Sequence, residues 1–183
     1  MNIDLQELCR QYSRGKRFKY LYFWGHTQKQ SSSMITKSCL SQWYHSGFVI
    51  DNIYYPTAEH YMMAEKARLF NDQQKVLEIL KANNPKLAKS LGRKIAYFVP
   101  DIWNERCLTV VIAGNFAVFS QNPELADFLL STKQKILVEA SPVDKIWGIG
   151  LSEDTPNIDN PLIWRGKNLL GFALMTVRQQ LKE

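Results

Sequence analysis

The sequence predicts an α+β fold dominated by helices, with a small antiparallel hairpin in its N-terminal half. Helix start and stop signals recur along the 183 residues, whereas the runs typical of β-strands are short and few. The chain also lacks the regular alternation of strands and helices that marks a doubly wound parallel sheet. Its length, its 45% apolar and 22% charged residues, and the lack of a flexible linker in its later two-thirds favour one globular domain.

The first quarter of the chain predicts one helix and one strand. Residues 4–14 carry apolar or long side chains at roughly helical spacing, and Gly15 can end that helix. The aromatic run 20–24 precedes Gly25 and is typical of a buried strand. Residues 26–38 are polar and show no periodicity, so they predict a loop.

A hairpin followed by a capped helix is predicted next. Two β-rich runs, 48–50 and 53–55, flank Asp51-Asn52, a pair favoured in tight hairpin turns. The hairpin leads to Thr57, whose hydroxyl can accept hydrogen bonds from the first turn of a helix. We expect this helix to continue to Phe70.

This helix carries two opposite charges on a face that should be apolar. At about 100° per residue, Glu59 and Lys66 lie only about 20° apart, in a stripe shared with Met62, Met63 and Phe70. A charge on such a face costs free energy unless it is paired, neutralised or beside a wet cleft. Two interpretations stay open: each charge has its own protein partner in a buried network, or both face a bound ligand.

The rest of the chain predicts five helices, one strand and a binding loop. Residues 140–150 mix acids, an indole and glycines, a composition typical of a binding loop on a rigid scaffold. Gly114 and Gly171 lie inside predicted helices, so we expect close packing at Gly171, and either close packing or a ligand contact at Gly114. The other predicted elements are a helix capped by Asn71 or Asp72, a helix from Pro85 to Gly92, a helix from Pro100 to about Phe119, a helix opened by Asn122-Pro123, a strand at 136–139 and a terminal helix over about 169–181.

Charge gives only a mild indication of a partner. The chain has 23 Lys and Arg against 17 Asp and Glu, and a net charge of +6 favours an anionic ligand such as a nucleotide phosphate or a nucleic-acid backbone. The one dense basic run is 14–19. A solvated loop is the favoured interpretation of so short a run, and a nucleic-acid contact is the alternative.

Composition predicts a cytoplasmic protein without membrane contact. The N-terminal residues are acidic and have no apolar core, unlike a secretory signal, and no apolar run approaches the length of a membrane span. Cys9, Cys39 and Cys107 show no CxxC spacing, and an odd number cannot all pair within the chain. Reduced thiols in a reducing compartment are therefore expected.

Neither a metal site nor a cofactor is predicted. The sequence contains no P-loop and no GxGxxG motif, and His26, His45 and His60 lack the spacing of metal ligands. His60 follows Glu59 but points about 100° away from it on the helix. We therefore interpret His60 as a packing histidine or as one that supports a neighbouring site residue.

Seven segments follow one another along the chain: PTAEHYMMAEK at 56–66, LGR at 91–93, Trp103, GN at 114–115, LVEASP at 137–142, DKIWGIG at 144–150 and NLLG at 168–171. They resemble the NADAR family, also called YbiA-like, and the resemblance runs in order from about Phe23 to the C-terminus. The order of so many segments makes the resemblance far more specific than any single motif. It implies the YbiA-like fold, with an N-terminal extension over 1–22 and the NADAR domain over 23–183.

The resemblance implies an N-glycosidase, and it implies which residues form the site. Some members act on ribosylamino-pyrimidine phosphates of riboflavin biosynthesis, and others remove ADP-ribose from guanine in nucleic acid, so the expected partners are a phosphorylated N-riboside or ADP-ribosylated DNA or RNA. Motif position puts Glu59, Lys66, Trp103 and Asp144 in the catalytic pocket. The expected substrate contacts are Arg93, Asn115, Glu139, Trp147 and Gly148.

These residue types suit cleavage of an N-glycosidic bond. The transition state is a ribosyl oxocarbenium ion, which a carboxylate such as Glu59 or Asp144 can stabilise, while Trp103 or Trp147 can stack on the base. Lys66 offers a second route, because a neutral amine can capture C1 of a ring-opened ribosylamine as a Schiff base. The alternative is a module that binds ADP-ribose or nucleic acid without catalysis, which would need the pocket but not the lysine.

Overall fold

The computed structural model describes residues 4–25 and 34–183. Within these residues the chain forms two compact units, which we call the first unit (Met1–Ser41 with Glu124–Glu183) and the second unit (Gln42–Pro123). Most of the predicted loop at 26–38 lies outside the described residues. The helices and strands are α1 (Leu5–Ser13), β1 (Tyr20–Phe23), β2 (Phe48–Ile50), β3 (Ile53–Tyr55), α2 (Ala58–Leu69), α3 (Gln73–Leu80), α4 (Pro85–Gly92), α5 (Pro100–Gln121), α6 (Pro123–Ser131), β4 (Ile136–Glu139) and α7 (Leu169–Gln180).

The predicted α+β, mainly helical fold is confirmed, and the helices begin where their capping residues predict. The Thr57 hydroxyl accepts a hydrogen bond from the His60 N–H at the start of α2. Of the two candidates for α3, Asp72 is the cap. Asn84 caps α4, with proline in the first helical position. Asn122, which the sequence placed at the start of α6, instead uses its side-chain nitrogen to donate to the Val118 carbonyl in the last turn of α5.

The second unit packs three helices around α2. The predicted hairpin β2–β3 leads into this helix, and its turn residues Asp51 and Asn52 have φ angles of 51° and 61°, as a type I′ turn requires. α3, α4 and α5 then contact α2. A Cβ atom at Gly114 would lie 2.5 Å from the Tyr61 ring, so packing against α2 accounts for that glycine.

The first unit is built on a parallel strand pair that the sequence did not predict. β1 pairs with β4 in the register Tyr20 with Ile136 through Phe23 with Glu139. α7 packs against β4. A Cβ atom at Gly171 would lie 2.1 Å from the Leu137 carbonyl oxygen. The close packing predicted at Gly171 is therefore between a helix and a strand.

Asn168 joins the start of α7 to β4. It is fully buried and adopts a left-handed conformation with φ 53°. Its Oδ1 accepts a hydrogen bond from the Glu139 N–H at 3.0 Å, and its Nδ2 donates to the Leu137 carbonyl at 2.9 Å. One amide side chain thus satisfies a donor and an acceptor of a buried strand, which asparagine can do because it carries both groups.

All three cysteines are free, as predicted. Burial raises the pKa of the Cys39 thiol to about 12, which makes it a poor nucleophile near neutral pH. In the described part of the chain, no helix combines the length and the apolar character needed to cross a membrane.

We expect Asn168→Ala to lower the free energy of unfolding by about 3 kcal/mol, because two buried backbone groups lose their partners and alanine disfavours the left-handed conformation. Urea denaturation measures this change. The matched control is Asn157→Ala, since Asn157 has φ 59° but is exposed. Equal destabilisation by the two substitutions would show that the hydrogen bonds of Asn168 contribute nothing.

Candidate active site

Glu59 is a buried carboxylate in the first turn of α2. The residue is 2% exposed, and its backbone N–H donates to the Gln42 carbonyl at 3.0 Å. Met62 and Met63 are buried on the same helix, as the helical wheel predicted. Two turns further on, the Glu59 charge acts on Lys66 and favours the protonated form of that amine. Glu59 and Lys66 therefore interact electrostatically in the folded protein, on the helix face where the sequence placed them.

The Lys66 amine lies between a carbonyl group and two aromatic rings. Its Nζ donates to the Gly92 carbonyl at 3.0 Å, and lies 4.0 Å from the centre of the Phe98 ring and 5.7 Å from that of Trp103. Burial lowers the pKa of Lys66, the positive charge of Arg93 lowers it further, and Glu59 opposes both effects. A larger fraction of the Lys66 amine is therefore neutral and nucleophilic than in an exposed lysine at the same pH.

A pair of buried amides supports the first turn of α2. The Gln42 Nε2 donates to the Asn115 Oδ1 at 2.9 Å, and the Asn115 Nδ2 donates to the Val111 carbonyl at 2.8 Å. Asn115 is only 3% exposed. The Gln42 carbonyl also accepts from the Glu59 N–H, so these hydrogen bonds connect Asn115 to the start of α2. The substrate contact that the family resemblance implies for Asn115 stays a prediction. The sequence gives no signal for Gln42, which lies 73 residues from its partner.

His60 is a packing residue, as the sequence predicted. It is fully buried. Its Nδ1 lies 2.8 Å from the Thr57 hydroxyl, and its Nε2 lies 3.1 Å from the Ala82 carbonyl. A carbonyl can only accept, so Nε2 carries the proton and Nδ1 accepts from Thr57 in the neutral ring. Burial lowers the pKa of His60 and keeps the ring neutral.

Asp144 organises the predicted binding loop in the first unit. Its Oδ1 accepts hydrogen bonds from the N–H groups of Ile146 at 2.9 Å and Trp147 at 2.8 Å. The Ser141 hydroxyl accepts from the Asp144 N–H at 3.2 Å. One carboxylate oxygen of Asp144 thus fixes the course of the loop. Trp147, which lies within the loop, is half-buried.

Gly148 is required by packing within this loop. A Cβ atom there would lie 2.8 Å from the Glu139 carbonyl oxygen and 3.0 Å from that of Asp144. The Gly148 carbonyl accepts from the Asn168 N–H at 3.1 Å. The loop is therefore attached to β4 and to the start of α7 by backbone contacts that leave no room for a side chain at Gly148.

The predicted site residues are distributed over both units. In the second unit, Lys66 lies near Trp103, Arg93 and Glu59, and Arg93 is exposed directly after α4. Asn115 also belongs to the second unit, and the other four predicted residues belong to the first unit: Glu139, Asp144, Trp147 and Gly148. Among the residues that the structure describes, no group of three His, Cys, Asp or Glu side chains is arranged to hold a metal ion.

Comparison with known proteins identifies the chain's relatives. A family model for the NADAR domain matches residues 22–182. An N-glycosidase of Acanthamoeba polyphaga mimivirus is 41% identical over 168 residues, which cover 88% of this chain and 96% of that protein. N-glycosidase YbiA of Escherichia coli is 33% identical over 132 residues, which cover 72% of this chain and 74% of that protein.

Two further comparisons concern structure and a longer relative. The NMR structure of the E. coli protein YbiA has a TM-score of 0.72 at 26% identity, covering 91% of this chain and 87% of that one. The riboflavin biosynthesis protein PYRR of Zea mays is 33% identical over 138 residues, which cover 72% of this chain and 20% of that protein.

These comparisons establish the class and then the family. The two relatives whose names state a reaction are N-glycosidases, so the predicted class, a hydrolase of N-glycosidic bonds, is confirmed. The chain belongs to the NADAR family. The resemblance inferred from its motifs is likewise confirmed.

Single substitutions should move the pKa of Lys66 in opposite directions. Arg93→Gln removes a neighbouring positive charge and should raise it, whereas Glu59→Gln removes a negative charge and should lower it. Titration of the ¹³Cε resonance of Lys66 by NMR measures both shifts. A pKa at the ordinary lysine value, or shifts of the same sign in both variants, would contradict the described surroundings of the amine.

Proposed function

We propose that this N-glycosidase hydrolyses the bond between ribose C1 and nitrogen in phosphorylated N-ribosides, with Lys66 as the nucleophile. The observation that carries the proposal is the half-buried Lys66 amine, whose pKa is lowered by burial, on the same helix as the buried carboxylate of Glu59. A protein that only binds its ligand has no need for an amine of lowered pKa. Covalent catalysis by lysine requires one.

The reaction can be written with this chain's own groups and water. In the ring-opened form of the substrate, C1 is an imine carbon bonded to the base nitrogen. Neutral Lys66 adds its Nζ to C1 to form an aminal, two protons pass from the lysine nitrogen to the base nitrogen, and the base leaves as a free amine. The C=N bond to the base is thus exchanged for a C=N bond to Lys66. Water then adds to C1 of the lysine imine, which releases the ribose phosphate, or ADP-ribose from the second substrate class, and regenerates the neutral amine. No redox step and no cofactor is needed.

Glu59 stabilises the positive charge in this scheme. Charge develops on C1 and its nitrogen, or on the ring oxygen if the sugar remains closed. A carboxylate held in a buried first turn cannot be screened by water as an exposed one is, so its interaction with a nearby cation is strong. The buried amides of Gln42 and Asn115 hold the backbone of this turn in place.

Two substrate classes fit this chemistry. Ribosylamino-pyrimidine phosphates carry an N-riboside and a phosphate, and the name of the maize relative, a riboflavin biosynthesis protein, supports them. ADP-ribose attached to guanine carries the same N-riboside. Trp103, half-buried near the amine, can stack on a base, and the exposed Arg93 can bind phosphate. Asp144, Trp147, Gly148 and Glu139 stay predictions from the family resemblance.

The purified protein should release free pyrimidine and ribose phosphate from a ribosylamino-pyrimidine phosphate, or ADP-ribose from ADP-ribosylated guanine DNA, or act on both. Chromatography after incubation with a ribosylamino-pyrimidine phosphate, and separately with ADP-ribosylated guanine DNA, identifies which one. Glu59→Gln should lower turnover by about 10²–10³-fold, the usual effect of losing one electrostatic contact to the transition state. Circular dichroism checks that the variant is folded. Tight binding of ADP-ribose without turnover of any N-riboside would contradict the proposal.

Borohydride added during turnover should fix a ribose-sized adduct on Lys66, detectable by peptide mass spectrometry. Lys66→Arg keeps the positive charge but cannot form the imine, so both trapping and turnover should be lost. Lys89→Arg is the matched control, because Lys89 also lies over an indole, 5.8 Å from the Trp43 ring. Turnover at a comparable rate in Lys66→Arg would instead favour direct attack of water on an oxocarbenium ion.

A further inference from the structure

A surface groove in the first unit has a strongly basic lining. We call it the basic groove. Its volume is about 930 Å³, and it lies between α1, the segment before β1, the segment before β4, and Met175 of α7. The exposed cations that line it are Lys16, Arg17, Lys19, Lys133 and Lys135. Lys16, Arg17 and Lys19 belong to the basic run at 14–19. Lys133 and Lys135 belong to a segment more than 100 residues later in the chain.

The basic groove lies at the opposite end of the strand pair from the Asp144 loop. Lys19 directly precedes β1 and Lys135 directly precedes β4, and the Ile136 N–H donates to the Lys19 carbonyl at 2.9 Å. The loop at 140–150 instead follows the C-terminal end of β4. In parallel strands these two ends are on opposite sides. The basic groove is therefore separate from the predicted binding loop of this unit.

The cations of the basic groove are not neutralised by the protein. Within residues 4–25 and 34–183, the ion pairs of the structure include none of the five. Glu7, the one carboxylate in the lining, accepts from Gln11 at 2.5 Å and pairs with Arg10 at 2.5 Å. Lys16 and Arg17 are instead held by neutral groups, with the Lys16 Nζ 2.7 Å from the Gln11 Oε1. The lining thus keeps a net positive charge.

A buried cation lies beside this lining. Arg178 is only 6% exposed, and its guanidinium donates to the Thr132 hydroxyl at 2.6 Å and to the Lys135 carbonyl at 3.0 Å. Both partners are neutral and belong to residues that line the groove. Lys19 and Lys135 directly precede the paired strands β1 and β4 at equivalent positions, where their like charges repel each other. A bound anion would offset both costs.

We propose that the basic groove binds the phosphodiester backbone of a single-stranded nucleic acid. Cations on both sides of a groove match a succession of phosphates better than one compact anion. Phe18 lies between Arg17 and Lys19 and contributes its half-buried ring to the lining, and an aromatic ring among cations is typical of single-strand binding. Stacking on Phe18 requires unpaired bases, which a duplex does not offer. This inference does not depend on the proposed glycosidase reaction.

Fluorescence anisotropy with a labelled single strand of about 12 nucleotides tests the proposal. Affinity should fall between about 50 mM and about 200 mM salt, since each phosphate contact contributes about 0.7 to the slope of log affinity against log salt concentration. The double variant Lys19→Gln with Lys135→Gln should weaken binding about tenfold at low salt and reduce that slope by about 1.4. Lys66→Arg should still bind the strand normally.

The matched control is Lys81→Gln with Lys86→Gln, which makes the same change of net charge at two exposed lysines of the second unit. It should leave strand binding nearly unchanged, and thermal melting checks that both double variants are folded. The proposal is overturned if the two double variants weaken binding equally. It is also overturned if an acidic peptide of equal charge, a duplex, or pyrophosphate binds the groove as tightly as the single strand.

Discussion

The burial of two opposite charges on one helix is the constraint on which the candidate site depends. Glu59 is almost fully removed from water, and Lys66 is half removed, with aromatic rings and a carbonyl group around its amine. Removal from water disfavours the charged form of the Lys66 amine, while the attraction of Glu59 favours it. For Lys66 the loss of water is the larger effect. A helix that served only to fill the core would avoid this cost with apolar residues.

Amide side chains hold the local structure in each unit. In the second unit, Gln42 and Asn115 connect the start of α2 to the middle of α5. In the first unit, Asn168 connects α7 to β4. In all three cases the amide is buried and bonds to a group distant in sequence, so its loss would leave polar groups without water or a partner. The acidic residues of the motifs are thus positioned by neutral neighbours.

The opposite ends of the β1–β4 pair carry different chemistry. The loop after β4 is fixed by Asp144 and by backbone contacts that exclude a side chain at Gly148. The segments before both strands carry lysines at equivalent positions and form the basic groove. The pairing of β1 with β4 brings Lys133 and Lys135 beside the basic run at 14–19, which in the sequence alone was interpreted as a solvated loop.

Local signals in the sequence determined where most elements begin and end. Thr57, Asp72 and Asn84 cap helices because their side chains bond within the next three residues, and Asp51-Asn52 forms a turn because both tolerate a positive φ. The helical period also placed Glu59 and Lys66 on one face. These features depend only on neighbouring residues.

Contacts between distant residues were decided by the tertiary structure alone. The parallel pairing of β1 with β4 joins segments more than 110 residues apart, and no local pattern specifies a partner strand. For the same reason the sequence could not show that Gln42 holds Glu59, that Asn115 is buried, or that Lys133 and Lys135 join the basic run. The sequence determined which residues carry charge and where helices start. The fold decided how far each charge is removed from water, because desolvation depends on every element that packs around it.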